Sequence, residues 1–126
     1  MASPSALSPT LPPSLLQPIA EFFKVLAEPN RLQILCVLKS GSRNVSEIIE
    51  LTGLGQANVS KHLKVLAQAG IVSRDPQGVN VYYTLANPLI FELCDLVCNS
   101  LVTQFEHQNS QLAALAAFHD RAHPPT

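Results

Sequence analysis

The residues of this 126-residue chain best suited to specific chemistry are its three cysteines, Cys36, Cys94 and Cys98. Their number is odd and no spacing matches the paired pattern of a stapled secreted domain, so the thiols point to metal or redox chemistry rather than to structural cross-links. A spacing of four puts Cys94 and Cys98 on one face of a helix, within reach of a shared soft ligand. A disulfide between those two is geometrically poor, because side chains one turn apart on a helix do not converge well. Together with Cys36 they offer a three-thiolate set that suits As(III), Sb(III) or another soft metal. The competing reading is packing alone: a free Cys behaves as a small hydrophobe, and all three lie in apolar stretches. A second group, His107, His119 and His123 with Glu106 and Asp120, has the residue types to bind nickel or zinc near the C-terminus, where histidines are often incidental. No Gly-rich phosphate loop, nucleophile elbow or carboxylate pair is present, so the chain does not read as an enzyme.

Charge singles out a different region. The formal net charge is −1 and only 13% of residues are charged, against about 25% in typical soluble chains. So little charge suggests burial beyond the chain's own core, as in a self-associating protein. The near-neutral total hides a split. Seven of the eight basic residues fall between Lys24 and Arg74, a balance of +4, whereas the part after Arg74 carries −4. An anionic partner would sit on the basic segment, because phosphate contacts are local. No stretch approaches the ~18 apolar residues of a membrane span and no basic, apolar leader opens the chain, so a cytoplasmic protein with no membrane contact is expected.

The elements that must position these residues follow from periodicity. Residues 1–14, MASPSALSPTLPPS, form a Pro/Ser-rich lead-in that predicts disorder. Leu15, Ile19, Phe22, Phe23 and Leu26 define a first helix ending near Ala27. Pro29 opens a second that reaches Lys39. Asn44 and Glu47 can form a capping box ahead of a third helix closed by Gly53. A fourth, residues 56–68, has Val59, Leu63 and Leu66 on one side and Gln56, Asn58, Ser60, Lys61, His62 and Lys64 displayed on the other, and Gly70 caps it. Two helices around a short Gly-containing turn, the second polar and basic, outline a helix-turn-helix. Residues 71–74 and 79–85 alternate or carry β-branched and aromatic side chains around Asp75-Pro76-Gln77-Gly78, which predicts a β-hairpin wing. The expected fold is therefore mainly α with a small β-hairpin wing, a winged helix-turn-helix, with Val59, Leu63, Leu66 and Tyr83 in its core.

Asn87 and Pro88 start a last helix that is apolar over most of its circumference from Leu89 to Phe105, leaving Glu92, Asp95, Asn99, Thr103 and Glu106 as one narrow polar stripe. Such a helix must be buried on more than one side, and a second copy of the chain is the simplest cover, so a homodimer through the first and last helices is expected. Residues 111–118 extend that helix or form a separate one, and a frayed end is expected from His119. The organisation is thus a lead-in at 1–14, a winged helix-turn-helix domain with terminal dimerisation helices at 15–110, and a helical extension and tail at 111–126.

Leu26-Ala27-Glu28-Pro29-Asn30-Arg31-Leu32-Gln33-Ile34-Leu35, Val45-Ser46-Glu47-Ile48, the run from Gly55 to Leu66, Ala69-Gly70-Ile71-Val72 and Val81-Tyr82-Tyr83 together resemble the arsenical-resistance repressor (ArsR) family of bacterial winged-helix regulators. The resemblance covers roughly residues 19–105 and is most specific from Gln56 to Val72. It implies a dimeric repressor on double-stranded operator DNA, released when a metal ion or oxidant alters the dimer. In that role Gln56, Asn58, Ser60, Lys61 and His62 would face major-groove edges and phosphates, with Lys64 and the wing residues Arg74, Gln77 and Asn80 at the backbone or minor groove. Two sensor patterns of the family are missing. No Cys lies between Arg43 and Glu50, and Asn87, Leu89, Ser100 and Thr103 stand where a zinc set on the last helix would fall. A second-helix Cys preceded by Ile-Leu resembles the redox and sulfide-responsive members, which pair it with a last-helix Cys that lies further along than Cys94 or Cys98. The alternatives to a thiol-sensing repressor are a winged-helix module for protein contacts and a regulator whose cysteines are structural and whose inducer binds elsewhere.

Overall fold

The computed structural model describes residues 11–122, which divide into two compact units, one up to Asn87 and the other from Pro88 onward. The first contains α1 (Pro13–Leu26), α2 (Pro29–Leu38), β1 (Arg43–Asn44), α3 (Val45–Thr52), α4 (Gln56–Gln68), β2 (Val72–Gln77) and β3 (Asn80–Leu85); the second is one helix, α5 (Leu89–Ala122). The winged helix-turn-helix expected from periodicity is the fold observed.

Helix boundaries follow local chemistry. α1 starts two residues before the apolar pattern does, because Pro13 occupies its first turn, where a missing N–H costs nothing and φ is already helical. Pro13 and Ser14 therefore belong to the helix rather than to the lead-in, and residues 1–10 of that expected lead-in lie outside the described residues. Glu28 caps α2 by accepting from the Arg31 N–H at 3.0 Å. The expected capping box of α3 is present in both directions: Asn44 Oδ1 accepts from Glu47 N–H at 2.8 Å and Glu47 Oε1 accepts from Asn44 N–H at 3.2 Å. α4 ends in a Schellman motif, with Gly70 at φ +74° and the Ile71 and Gly70 N–H groups donating to Leu66 and Ala67 carbonyls at 3.0 and 3.1 Å. Ile71 and Leu66, the apolar pair that accompanies this motif, are both buried.

The sheet has the order β1-β3-β2, all antiparallel. Its hairpin turns later than the sequence suggests. Asp75, Pro76 and Gln77 remain paired in β2, and the reversal falls on Gly78 and Val79 between the Gln77–Asn80 pair. Gly78 has φ +62° and Val79 does not have positive φ, the pattern of a type II′ turn, which suits the strand twist. Pro76 is tolerated because β2 is an edge strand. The two-residue strand β1 was not anticipated. It joins β3 by pairing Arg43 with Tyr83 and Asn44 with Tyr82, so the wing is hydrogen-bonded to the segment that leads into α3.

The core of the first unit is Ile34, Leu35 and Leu38 of α2, Ile48 of α3, Val59, Leu63 and Leu66 of α4, and Ile71 and Val72, closed by Leu26 of α1. Tyr83, expected in the core, is only half-buried. It sits mid-sheet between two arginines in register, Arg43 and Arg74, and strand residues directly opposite each other share a face.

α5 is continuous for 34 residues, about 50 Å at the helical rise. The 111–118 segment is an extension of it, and the helix carries through His119 to Ala122, where fraying was expected. Ile90 is its buried residue, and every residue from Asp95 to Ala122 is exposed in the single chain.

Candidate nucleic-acid interface and thiol positions

α4 is two-faced because its apolar residues keep helical spacing. Val59, Leu63 and Leu66 point inward, and Gln56, Ser60, Lys61 and Lys64 are exposed on the opposite side, with Asn58 half-buried at the margin. Five of the six α4 residues expected to meet DNA are thus wholly or partly open to solvent. His62 is not. The residue is 4% exposed, so the assignment of His62 to base edges is corrected: three residues beyond Val59 and four before Leu66, it falls on the core stripe.

A buried imidazole needs partners, and His62 has two charged ones. Arg31 Nη1 lies 3.4 Å from His62 Nδ1, and Glu28 Oε2 lies 3.7 Å from His62 Nε2. The same guanidinium donates from Nε to the Val25 carbonyl at 2.6 Å. Arg31 is therefore half-buried, with its guanidinium engaged within the fold. Arg43 is similarly engaged, with Nη1 3.4 Å from Glu47 Oε2 and Nη2 donating to Ser40 Oγ at 3.1 Å. Arg31 and Arg43 thus have neighbours within the fold. The exposed positive charge of the reading region rests on Lys24, Lys39, Lys61, Lys64 and Arg74.

Arg74, Gln77 and Asn80 are all exposed on the wing. Gln77 Nε2 donates to Asp75 Oδ2 at 2.8 Å, which holds its amide along the strand. Val79 stands at the tip, fully exposed.

The thiols are more open than the packing reading requires: Cys36 and Cys98 are exposed and Cys94 is half-buried. Cys94 and Cys98 occupy consecutive turns of α5 as their spacing predicts. Among the described residues, no group of three or more His, Cys, Asp and Glu side chains is arranged to hold a metal ion. Two thiols one turn apart on one helix therefore fit a soft ligand in part, and Cys36 belongs to the other compact unit. Of the C-terminal histidines, His107 Nε2 lies 3.1 Å from the Gln111 amide, His119 is exposed in the last turn of α5, and His123 lies outside the described residues.

The region from Glu28 to Arg74, which holds α2, the helix-turn-helix and the start of the wing, matches the family model described as bacterial regulatory protein, arsR family, over residues 28–74. The solved homodimeric winged helix-turn-helix DNA-binding domain of Mb0332 from Mycobacterium bovis, a possible ArsR-family transcriptional regulator, is 32% identical, with a TM-score of 0.69 over 82% of this chain and 94% of that one. The chain belongs to the arsR family. Family and fold are those of DNA-binding transcriptional regulators. The crystal structure of Rv0081 from Mycobacterium tuberculosis is likewise similar to this arsR-family chain, with 35% identity and a TM-score of 0.68 over 75% of this chain and 95% of that one. A probable mercury resistance operon repressor of Streptomyces lividans is 36% identical over 74 residues, 59% of each protein. This chain covers 59% of that repressor's length and 66% of the full Rv0081 sequence.

Proposed function

We propose that the chain is a homodimeric repressor that holds an inverted-repeat operator with one α4 per half-site and is released by a soft-metal or thiol-reactive inducer. The observation that carries the DNA part is the one-sided α4: Gln56, Ser60, Lys61 and Lys64 are exposed on one side of a helix whose opposite side is core. An α-helix of this kind fits the major groove, where amide and hydroxyl groups reach base edges and lysines reach phosphates. Asn58 lies at the edge of that contact, and Arg74, Gln77 and Asn80 extend it along the wing.

The dimer is supported by apolar surface. Leu15, Ile19 and Phe23 of α1 and Leu101, Val102 and Phe105 of α5 are exposed large hydrophobics, more than a monomer keeps in water without a partner. A two-fold dimer would present two α4 helices to half-sites about one helical turn apart. Inducer release is supported by the exposed Cys36 and Cys98 with half-buried Cys94, and by the relative named for mercury resistance. Thiolates favour soft ions such as arsenite, antimonite or mercuric ion, and they also react with persulfide or peroxide.

The test is fluorescence anisotropy of the purified protein on duplex DNA from upstream of its own gene and on a scrambled duplex, over a salt series. The expected result is preference for a short inverted repeat, with log affinity falling linearly against log salt. Equal binding to both duplexes at moderate salt overturns the reading. Adding arsenite, antimonite, mercuric ion, zinc or persulfide to the parent and to Cys36→Ser, Cys94→Ser and Cys98→Ser then identifies the inducer class. Release unchanged in all three variants assigns the cysteines to packing.

A further inference from the structure

We infer that Glu28, Arg31 and His62 form a positioning cluster that fixes the roll of α4, and with it the side chains offered to DNA, relative to the end of α1. The inference rests on the reading of α4 as the DNA-facing helix and concerns residues that make no contact with DNA themselves.

Apolar contacts alone leave a helix some freedom to rotate and slide, because the attraction is non-directional. A buried polar contact is directional, and a half-made one is costly, so it admits one arrangement. His62 is the buried polar residue of α4, and its neighbour in sequence, Lys61, is exposed. Since consecutive helical residues differ by about 100°, the rotation that aims His62 at Arg31 also determines where Lys61 and Lys64 point. The guanidinium makes a good gauge. It is planar, with donors in a fixed fork, and here the fork spans two helices: Nε reaches the Val25 carbonyl in the last turn of α1 at 2.6 Å, and Nη1 reaches His62 Nδ1 at 3.4 Å. Its backbone N–H is held by Glu28 Oε2, the same oxygen that faces His62 Nε2.

The geometry also assigns the imidazole tautomer. Arg31 can only donate, so Nδ1 accepts and the proton sits on Nε2, toward the Glu28 carboxylate. A movement of the end of α1 carries the Val25 carbonyl with it and pulls on a guanidinium whose other arm holds α4. The exposed apolar residues of α1 are those proposed to meet the second copy, so the cluster connects the dimer contact to the reading helix by one side chain.

The test uses the full chain as Arg31→Met, His62→Leu, His62→Gln and the double variant Arg31→Met with His62→Leu. Affinity for an operator duplex and a scrambled duplex is measured at one salt concentration, with sedimentation for the dimer. Each of Arg31→Met and His62→Leu should lose about tenfold in operator affinity, with a much smaller loss on scrambled DNA and an unchanged dimer. The double variant should be little worse than either single one, because both break the same contact. His62→Gln, which keeps an acceptor, should recover most of the loss, and imidazole ¹⁵N shifts of the parent should show the Nε2–H tautomer. If the parent prefers its operator and both single variants keep that preference, or if their losses add in full, the positioning role is overturned. If the parent itself shows no preference, the DNA-binding reading falls and the inference with it. His62→Gln and the tautomer measurement serve where His62→Leu fails to fold, and a histidine protonated at Nδ1 overturns the geometry.

Discussion

Lys61 and His62 are consecutive residues of α4, yet Lys61 is exposed to solvent and His62 is buried against Arg31 and Glu28. One helical step separates the side chain proposed to meet phosphate from the one proposed to hold the helix in place. The two should respond to substitution in opposite ways.

Lys61→Ala and Lys64→Ala should weaken binding to every duplex, specific and scrambled alike, and each should lower the salt slope by about one. Thermal stability should stay within about 0.5 kcal/mol of the parent, as expected of exposed sites. Salt titrations of binding together with urea denaturation check both halves. An unchanged slope in both variants would place the phosphate contacts elsewhere.

Gly70→Ala tests the end of α4. With φ at +74° and no atom within 4 Å of an added Cβ, the cost is purely conformational, about 1–2 kcal/mol. Chemical denaturation should show that loss. A neutral result means the Schellman turn rearranges without cost.

Phe105→Glu addresses the second copy. Phe105 is 60% exposed in the single chain, and a buried charge at a dimer contact is strongly unfavourable. Sedimentation should show monomer at concentrations where the parent is dimeric, and operator affinity should drop by at least about tenfold, since each half-site then binds alone. A variant that stays dimeric removes this part of α5 from the interface.

Val79→Lys probes the wing. The tip carries a fully exposed apolar side chain and no basic residue. Adding a positive charge there should raise affinity for all DNA and steepen the salt dependence if the wing lies beside the backbone. No change in either quantity would mean that the tip does not approach the duplex.

Much of the architecture was legible because it is encoded locally. The Asn44 and Glu47 capping box, Pro29 at a helix start, Gly70 after α4 and the alternating strand around Tyr82 are all short-range patterns, and each appears in the structure. What escaped was non-local. β1 is two residues long and exists only because β3 lies beside it, so no window of alternation marks it. His62 was placed with the polar residues of α4 on residue type, although its spacing from Val59 and Leu66 put it on the core stripe. Its partners explain the burial, and they lie 31 and 34 positions away at Arg31 and Glu28. For α5, the apolar pattern announced a helix needing cover, but the hydrophilic stretch from Glu106 to Gln111 masked its continuity; the helix runs through because those residues are good or tolerable helix formers with no Gly or Pro among them.

The pairing of β1 with β3 has a mechanical consequence. Because Arg43 and Asn44 are laced to Tyr83 and Tyr82 while Asn44 also caps α3, the wing and the helix-turn-helix share a joint made of backbone pairing. A torque applied to one is delivered to the other. The proposed DNA-gripping head is thus one linked piece rather than a pair of independent fingers, so the proposed release by an inducer would act on the stance of the two heads in the proposed dimer rather than within either one.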